Sequence, residues 1–147
     1  MNKVSLALAA SLLAAPAFAG GHASGDAAAG EKLFNQCQSC HVVQDDDGNT
    51  LAGRNAKTGP NLYALPGRTV GAVEGFRYGK SIIAVGEGGQ AWDEANFVEY
   101  VQDPKAYLAR VLDDSKARSK MAFKVRSEED AANLWAFIAS LSPEPES

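Results

Sequence analysis

The sequence predicts one all-α domain, with three main helices joined by long ordered loops. Three observations carry that expectation. Three segments place apolar residues at helical spacing behind a good capping residue, and no segment alternates convincingly as a strand. The two longest stretches between them, Val42 to Asn61 and Leu65 to Gln90, are rich in glycine and polar punctuation and read as loops. Loops of that length without regular structure are uncommon unless they do a job, and wrapping a cofactor is such a job.

The elements follow in chain order. Residues 1–19 form a targeting segment: a positive start at Met1-Asn2-Lys3, an apolar run from Val4 to Pro16, and an A-x-A cleavage site at Ala17-Phe18-Ala19. That run is too short for a membrane span. Cleavage after Ala19 leaves residues 20–147 as the mature domain and predicts export to a periplasm. Gly20 to Gly25 is a small-residue tail. Asp26 caps a first helix running to about Gln38, with Leu33, Phe34 and Cys37 on one side. Asp93 caps a second helix to about Gln102, and Asp103-Pro104 stops or restarts it, with a short helical turn possible from Lys105 to Val111. Ser127-Glu128-Glu129-Asp130 opens the last helix, along which Ala131, Leu134, Trp135, Ile138 and Leu141 keep helical spacing until Ser142-Pro143. Pro143 to Ser147 is an acidic tail.

Without residues 1–19, of which only Lys3 is charged, the 147-residue chain becomes one domain-sized unit of 128 residues, and its formal charge moves from -4 to -5. An acidic balance of that kind argues against general nucleic-acid binding. The apolar fraction supports a small core, to which a rigid apolar cofactor would add.

Cys37-Gln38-Ser39-Cys40-His41 reads C-x-x-C-H, the attachment motif of a c-type haem. Two thiols three residues apart can each add across a vinyl group on one haem edge, sulfur to one carbon and hydrogen to the other. His41 then lies under the iron as a proximal ligand. Two other readings stand beside this one. A redox-active dithiol uses C-x-x-C, and zinc uses it as half a site. Closed zinc coordination lacks partners, because past residue 22 the chain has no other cysteine or histidine.

A haem iron held by His41 has a second axial position. Met121 is the one methionine left after the targeting segment, and the one other histidine, His22, lies in the tail. Met121 stands in the polar stretch Ser119 to Lys124, where a methionine has little to do as core. His/Met ligation raises the potential and leaves no open iron site, which favours electron transfer over oxygen or peroxide chemistry. A haem enzyme or gas sensor with an open iron is the alternative.

With the ligands placed, the chain resembles class I cytochrome c, especially the bacterial cytochrome c2 type, over roughly Gly25 to Leu141. The resemblance rests on Gly30-Glu31-Lys32-Leu33-Phe34, Thr58-Gly59-Pro60-Asn61-Leu62, Gly67-Arg68, Gly75-Phe76-Arg77-Tyr78, Trp92, Glu99-Tyr100 with Asp103-Pro104, and Lys120-Met121. It implies the cytochrome c fold around one covalent haem. It also implies that the Pro60 carbonyl accepts the His41 ring N–H, that Arg68, Tyr78 and Trp92 surround the propionates, and that Tyr100 tunes the Met121 sulfur. Phe34, Leu134 and Phe137 would pack where the first and last helices cross. The loops from His41 to Pro60 and from Pro104 to Met121 are longer than in mitochondrial-type members, and Phe76 stands where many relatives have tyrosine.

The function that this resemblance implies is a soluble periplasmic one-electron carrier, monomeric, not an enzyme, without stable membrane insertion. Its donor would be a quinol-oxidising cytochrome bc complex, and its acceptor a photosynthetic reaction centre or a terminal oxidase. Lys105 to Arg126 holds Lys105, Arg110, Lys116, Arg118, Lys120, Lys124 and Arg126 against Asp113 and Asp114. That basic cluster in an acidic chain either steers an acidic partner or is an ordinary solvated loop.

Overall fold

Short polar side chains start each main helix. The structure, a computed structural model, describes residues 23–143. Residues 1–22, on which the expected targeting segment and His22 fall, and residues 144–147 lie outside the described residues. Asp26 accepts from the Ala28 and Ala29 N–H groups at 2.8 and 3.1 Å and opens α1, Ala27–Leu33. Asp93 and Asn96 cap each other reciprocally at the start of α3, Glu94–Gln102. Ser127 Oγ accepts from Asp130 N–H at 3.1 Å and opens α5, Glu128–Ser140. Each cap meets backbone donors that the first turn leaves without helical partners.

Four expectations need correction. The first helix does not run on to Gln38 as α-helix: it tightens into a 3-10 turn at Phe34–Gln36. The stretch from Val42 to Asn61 contains an antiparallel hairpin, β1 (Val42–Gln44) and β2 (Thr50–Gly53). Its acidic punctuation is the turn: Asp45 carboxylate oxygens accept from Asn49 N–H and Nδ2, and Gly48 takes φ +85°. The stretch from Leu65 to Gln90 contains α2, Lys80–Glu87. The turn after Pro104 is a full helix, α4 (Pro104–Leu112), capped by Asp103 and led by proline at its first position.

Helices α1 and α5 cross in direct backbone contact. A Cβ on Gly30 would stand 1.9 Å from the Asn133 carbonyl oxygen, so only glycine fits there. Asn133, buried on α5, accepts Asp26 N–H at 2.7 Å, while Phe34 and Phe137 meet with ring centroids 5.5 Å apart. Helix α3 packs across α5 through Phe97 and Trp135, 5.3 Å apart. The buried core joins Phe34, Leu134, Phe137 and Ile138 to Trp92, Phe97, Tyr100, Tyr107 and Leu108. Among the described residues no helix is long and apolar enough to cross a membrane.

Candidate functional site

The turn after α1 gathers the reactive side chains. Cys37 N–H bonds back to Phe34, and Cys40 and His41 N–H both bond to the Cys37 carbonyl, at 3.0 and 2.9 Å. Winding the chain this way puts residues three and four apart on one side, so Cys37, Cys40 and His41 face a common cavity. The hairpin braces it: Gly53, at φ +85°, approaches the His41 carbonyl too closely for a side chain. Gly59 N–H donates to the Cys40 carbonyl at 2.7 Å.

His41 is held in one orientation. Its Nδ1 lies 2.9 Å from the Pro60 carbonyl, which can only accept, so Nδ1 carries the proton and Nε2 keeps its lone pair for a metal. Gly59 lies flat beneath the ring. A Cβ there would stand 2.4 to 2.7 Å from Cε1, Nδ1 and Nε2. Burial depresses the His41 pKa, against the opposing pull of the Pro60 hydrogen bond, and so favours the neutral imidazole, the form able to bind a metal. Burial, and to a lesser extent Cys40, pushes the Cys37 thiol up to about 11. A thiol of that acidity stays protonated at neutral pH, whereas thiol-disulfide catalysis needs a thiolate. The element order also contains no βαβ unit among the described residues. Neither observation supports the dithiol reading.

The cavity holds about 420 Å³, within the range of roughly 300–1,000 Å³ usual for cofactor and ligand sites. Every residue expected to hold or surround the cofactor borders it: Cys37, Cys40, His41, Pro60, Arg68, Tyr78, Trp92, Tyr100 and Met121. Most of the rest of the wall is apolar, including Leu65, Ile82, Phe97, Leu134 and Ile138. Ile82 comes from α2, in a segment that reads as loop. Trp92 is buried and packs edge-on against Tyr100, ring centroids 5.2 Å apart. Tyr100 is pushed up by burial, partly offset by its interaction with the Ser119 side chain beside Met121.

Arg68 is a largely buried cation whose hydrogen bonds go to neutral carbonyls, Tyr63 at 2.7 Å and Asn61 at 3.1 Å. The ion pairs among the described residues are Arg110 with Glu99 and Lys124 with Asp103, so Arg68 has no carboxylate partner there. A guanidinium does not give up its proton, and a buried charge calls for a counter-ion. The arrangement thus offers a nitrogen and a sulfur donor, two thiols beside the nitrogen, apolar walls and a partly buried cation. Those features fit a flat apolar metal macrocycle carrying anionic groups on its edge, which is a haem.

Spacing alone missed several contributors. Asn61 ties the 60s segment to β1, accepting from Gln44 N–H at 3.0 Å and donating Nδ2 to the Gln44 carbonyl at 2.7 Å. Its place directly after Gly59-Pro60 is the signal that could have found it. The basic stretch is also less free than its composition suggests. Arg110 pairs with Glu99, Lys124 with Asp103, and Lys120 Nζ donates to the Arg77 carbonyl. Lys105, Lys116, Arg118 and Arg126 are exposed.

No family model matches the chain. It is 60% identical over 118 residues to a cytochrome c2 from Rhodovulum adriaticum, covering 80% of this chain and 94% of that protein. It is 50% identical over 141 residues to a cytochrome c2 from Cereibacter sphaeroides, covering 95% of each. The crystal structure of cytochrome c2 from Rhodobacter sphaeroides superposes with a TM-score of 0.80 at 52% identity, over 83% of this chain and all of that one.

Proposed function

This chain belongs to the cytochrome c2 family, and from that premise we propose that it carries single electrons on one haem, which Cys37 and Cys40 would tether and whose iron His41 and Met121 would hold. The protein is a haem-containing electron-transfer protein of the cytochrome c class, not an enzyme. The observation that supports this attachment and ligation is the convergence of Cys37, Cys40, His41 and Met121 on one apolar cavity.

When bound there, the haem supplies a one-electron iron couple. The protein's own residues supply the rest. Cys37 and Cys40 tether the group through their sulfurs. Pro60 and Gly59 fix the His41 ring so that Nε2 faces inward. Met121 offers a soft, uncharged sulfur that favours the reduced state, and the apolar walls exclude water and act in the same direction. Arg68, with Tyr78 nearby, offers a cationic lining to the propionates, while Trp92 and Tyr100 complete the wall.

Residues 1–19 are proposed as a cleaved export signal that delivers residues 20–147 to the periplasm. One measurement tests tether, haem count and cleavage together. Intact mass under denaturing conditions should equal residues 20–147 plus a single haem, and haem lost on denaturation would refute the tether.

The proposed donor is a cytochrome bc complex, and the proposed acceptor a photosynthetic reaction centre or terminal oxidase, met by a monomer in short-lived complexes. The exposed Lys105, Lys116, Arg118 and Arg126 support steering by an acidic partner face. Electron transfer followed by stopped flow should slow as salt rises; a flat response would remove steering.

A further inference from the structure

The segment that carries Met121 runs from Asp113 to Ser127 and contains no helix or strand. Its sulfur is therefore placed by whatever the segment is tied to. Arg118 N–H donates to the Ser81 hydroxyl on α2 at 3.0 Å, and Lys120 Nζ donates to the Arg77 carbonyl at 2.7 Å. Val125 N–H donates to the Val101 carbonyl at 2.8 Å, and Lys124 Nζ meets Asp103 Oδ2 at 2.6 Å. The first three ties end on neutral acceptors. The fourth joins two opposite charges.

That fourth tie is well built at its acidic end. The other carboxylate oxygen, Oδ1, accepts Ala106 N–H at 3.0 Å and caps α4, so the helix itself holds the Asp103 side chain in place. Val101 and Asp103 belong to the α3–α4 junction, and Lys124 and Val125 follow Met121 by three and four residues. The ion pair and the backbone bond thus close the same short hinge.

We infer that Lys124 and Asp103 form an electrostatic clasp that holds the Met121 segment against the α3–α4 junction, a pair of positioning residues acting on the iron through Met121. The inference rests on the Met121 ligation proposed above. Opening the clasp raises the population in which the sulfur is away from the iron, and a small added ligand binds that population. Its apparent affinity follows the open fraction.

The test is an imidazole titration of the oxidised, haem-loaded protein, followed by loss of the sulfur-to-iron absorption band. A wild-type protein without that band would overturn the ligation reading, and the clasp with it. Given the band, Asp103→Asn keeps an oxygen to cap α4 while removing the charge, and Lys124→Gln removes the other half. Each should bind imidazole about two- to fivefold more tightly, the scale expected of a solvent-exposed ion pair. The double variant should gain no more than either single one, because the two charges act as a unit. Added salt should tighten imidazole binding to the wild type and leave Asp103→Asn unmoved. Glu99→Gln breaks the other ion pair, with Arg110, without touching the segment, and should behave as wild type. Wild-type affinity in both Asp103→Asn and Lys124→Gln, or an equal gain in Glu99→Gln, would overturn the clasp.

Discussion

Met121→Ala should erase the sulfur-to-iron absorption band of the oxidised protein and lower its reduction potential. The side chain borders the cavity from the 113–127 segment, and no other thioether occurs among residues 23–143. On the proposed ligation, removing it takes away the soft donor that favours ferrous iron. The loss should be a sizeable part of the roughly 0.8 V over which axial ligation moves haem potentials. The same change leaves an iron position that carbon monoxide can reach in the reduced protein. Potentiometry and a visible spectrum read both effects. An unchanged spectrum would assign the second ligand to another residue, and rapid carbon monoxide binding by the unaltered protein would favour the open-iron alternative.

Gly59→Ala should disturb the histidine side of the cavity. The added methyl would stand 2.4 Å from His41 Cε1, well inside van der Waals contact. Neither partner can simply retreat. Gly59 N–H is bonded to the Cys40 carbonyl at 2.7 Å, and the ring is tied to the Pro60 carbonyl at 2.9 Å. The ring must turn or the 59–60 segment must lift, and either breaks the bond that orients Nε2. Overpacking of this kind costs about 1–3 kcal/mol. Urea unfolding of the haem-loaded variant should therefore show a lower midpoint at an unchanged slope. Wild-type stability with a wild-type spectrum would mean that Gly59 is not the floor of the histidine site.

The two glycine-rich stretches show why half of the architecture was hidden in the sequence. Gly86 reads as loop punctuation, yet it sits within α2, where a Cβ would stand 1.9 Å from the Val70 carbonyl oxygen. Glycine is there for close packing, and packing is invisible to local propensity. Helix α2 also begins at Gly79 with no side-chain cap, so it sends no start signal. The hairpin hides differently: β1 has three residues, a register irregularity falls between Val43 and Gln44, and its acidic turn resembles a plain surface loop.

What the chain determined by itself was set within about four residues: the caps at Asp26, Asp93 and Ser127, the helical face of α5, and the C-x-x-C-H turn. Those interactions depend on spacing along the backbone, which a sequence displays directly. Only the tertiary structure decided that Arg68 spends its donors on carbonyls and that Asp103 reaches Lys124 twenty-one residues on. Contacts between distant segments exist only once the core has brought those segments together, and no local spacing encodes them.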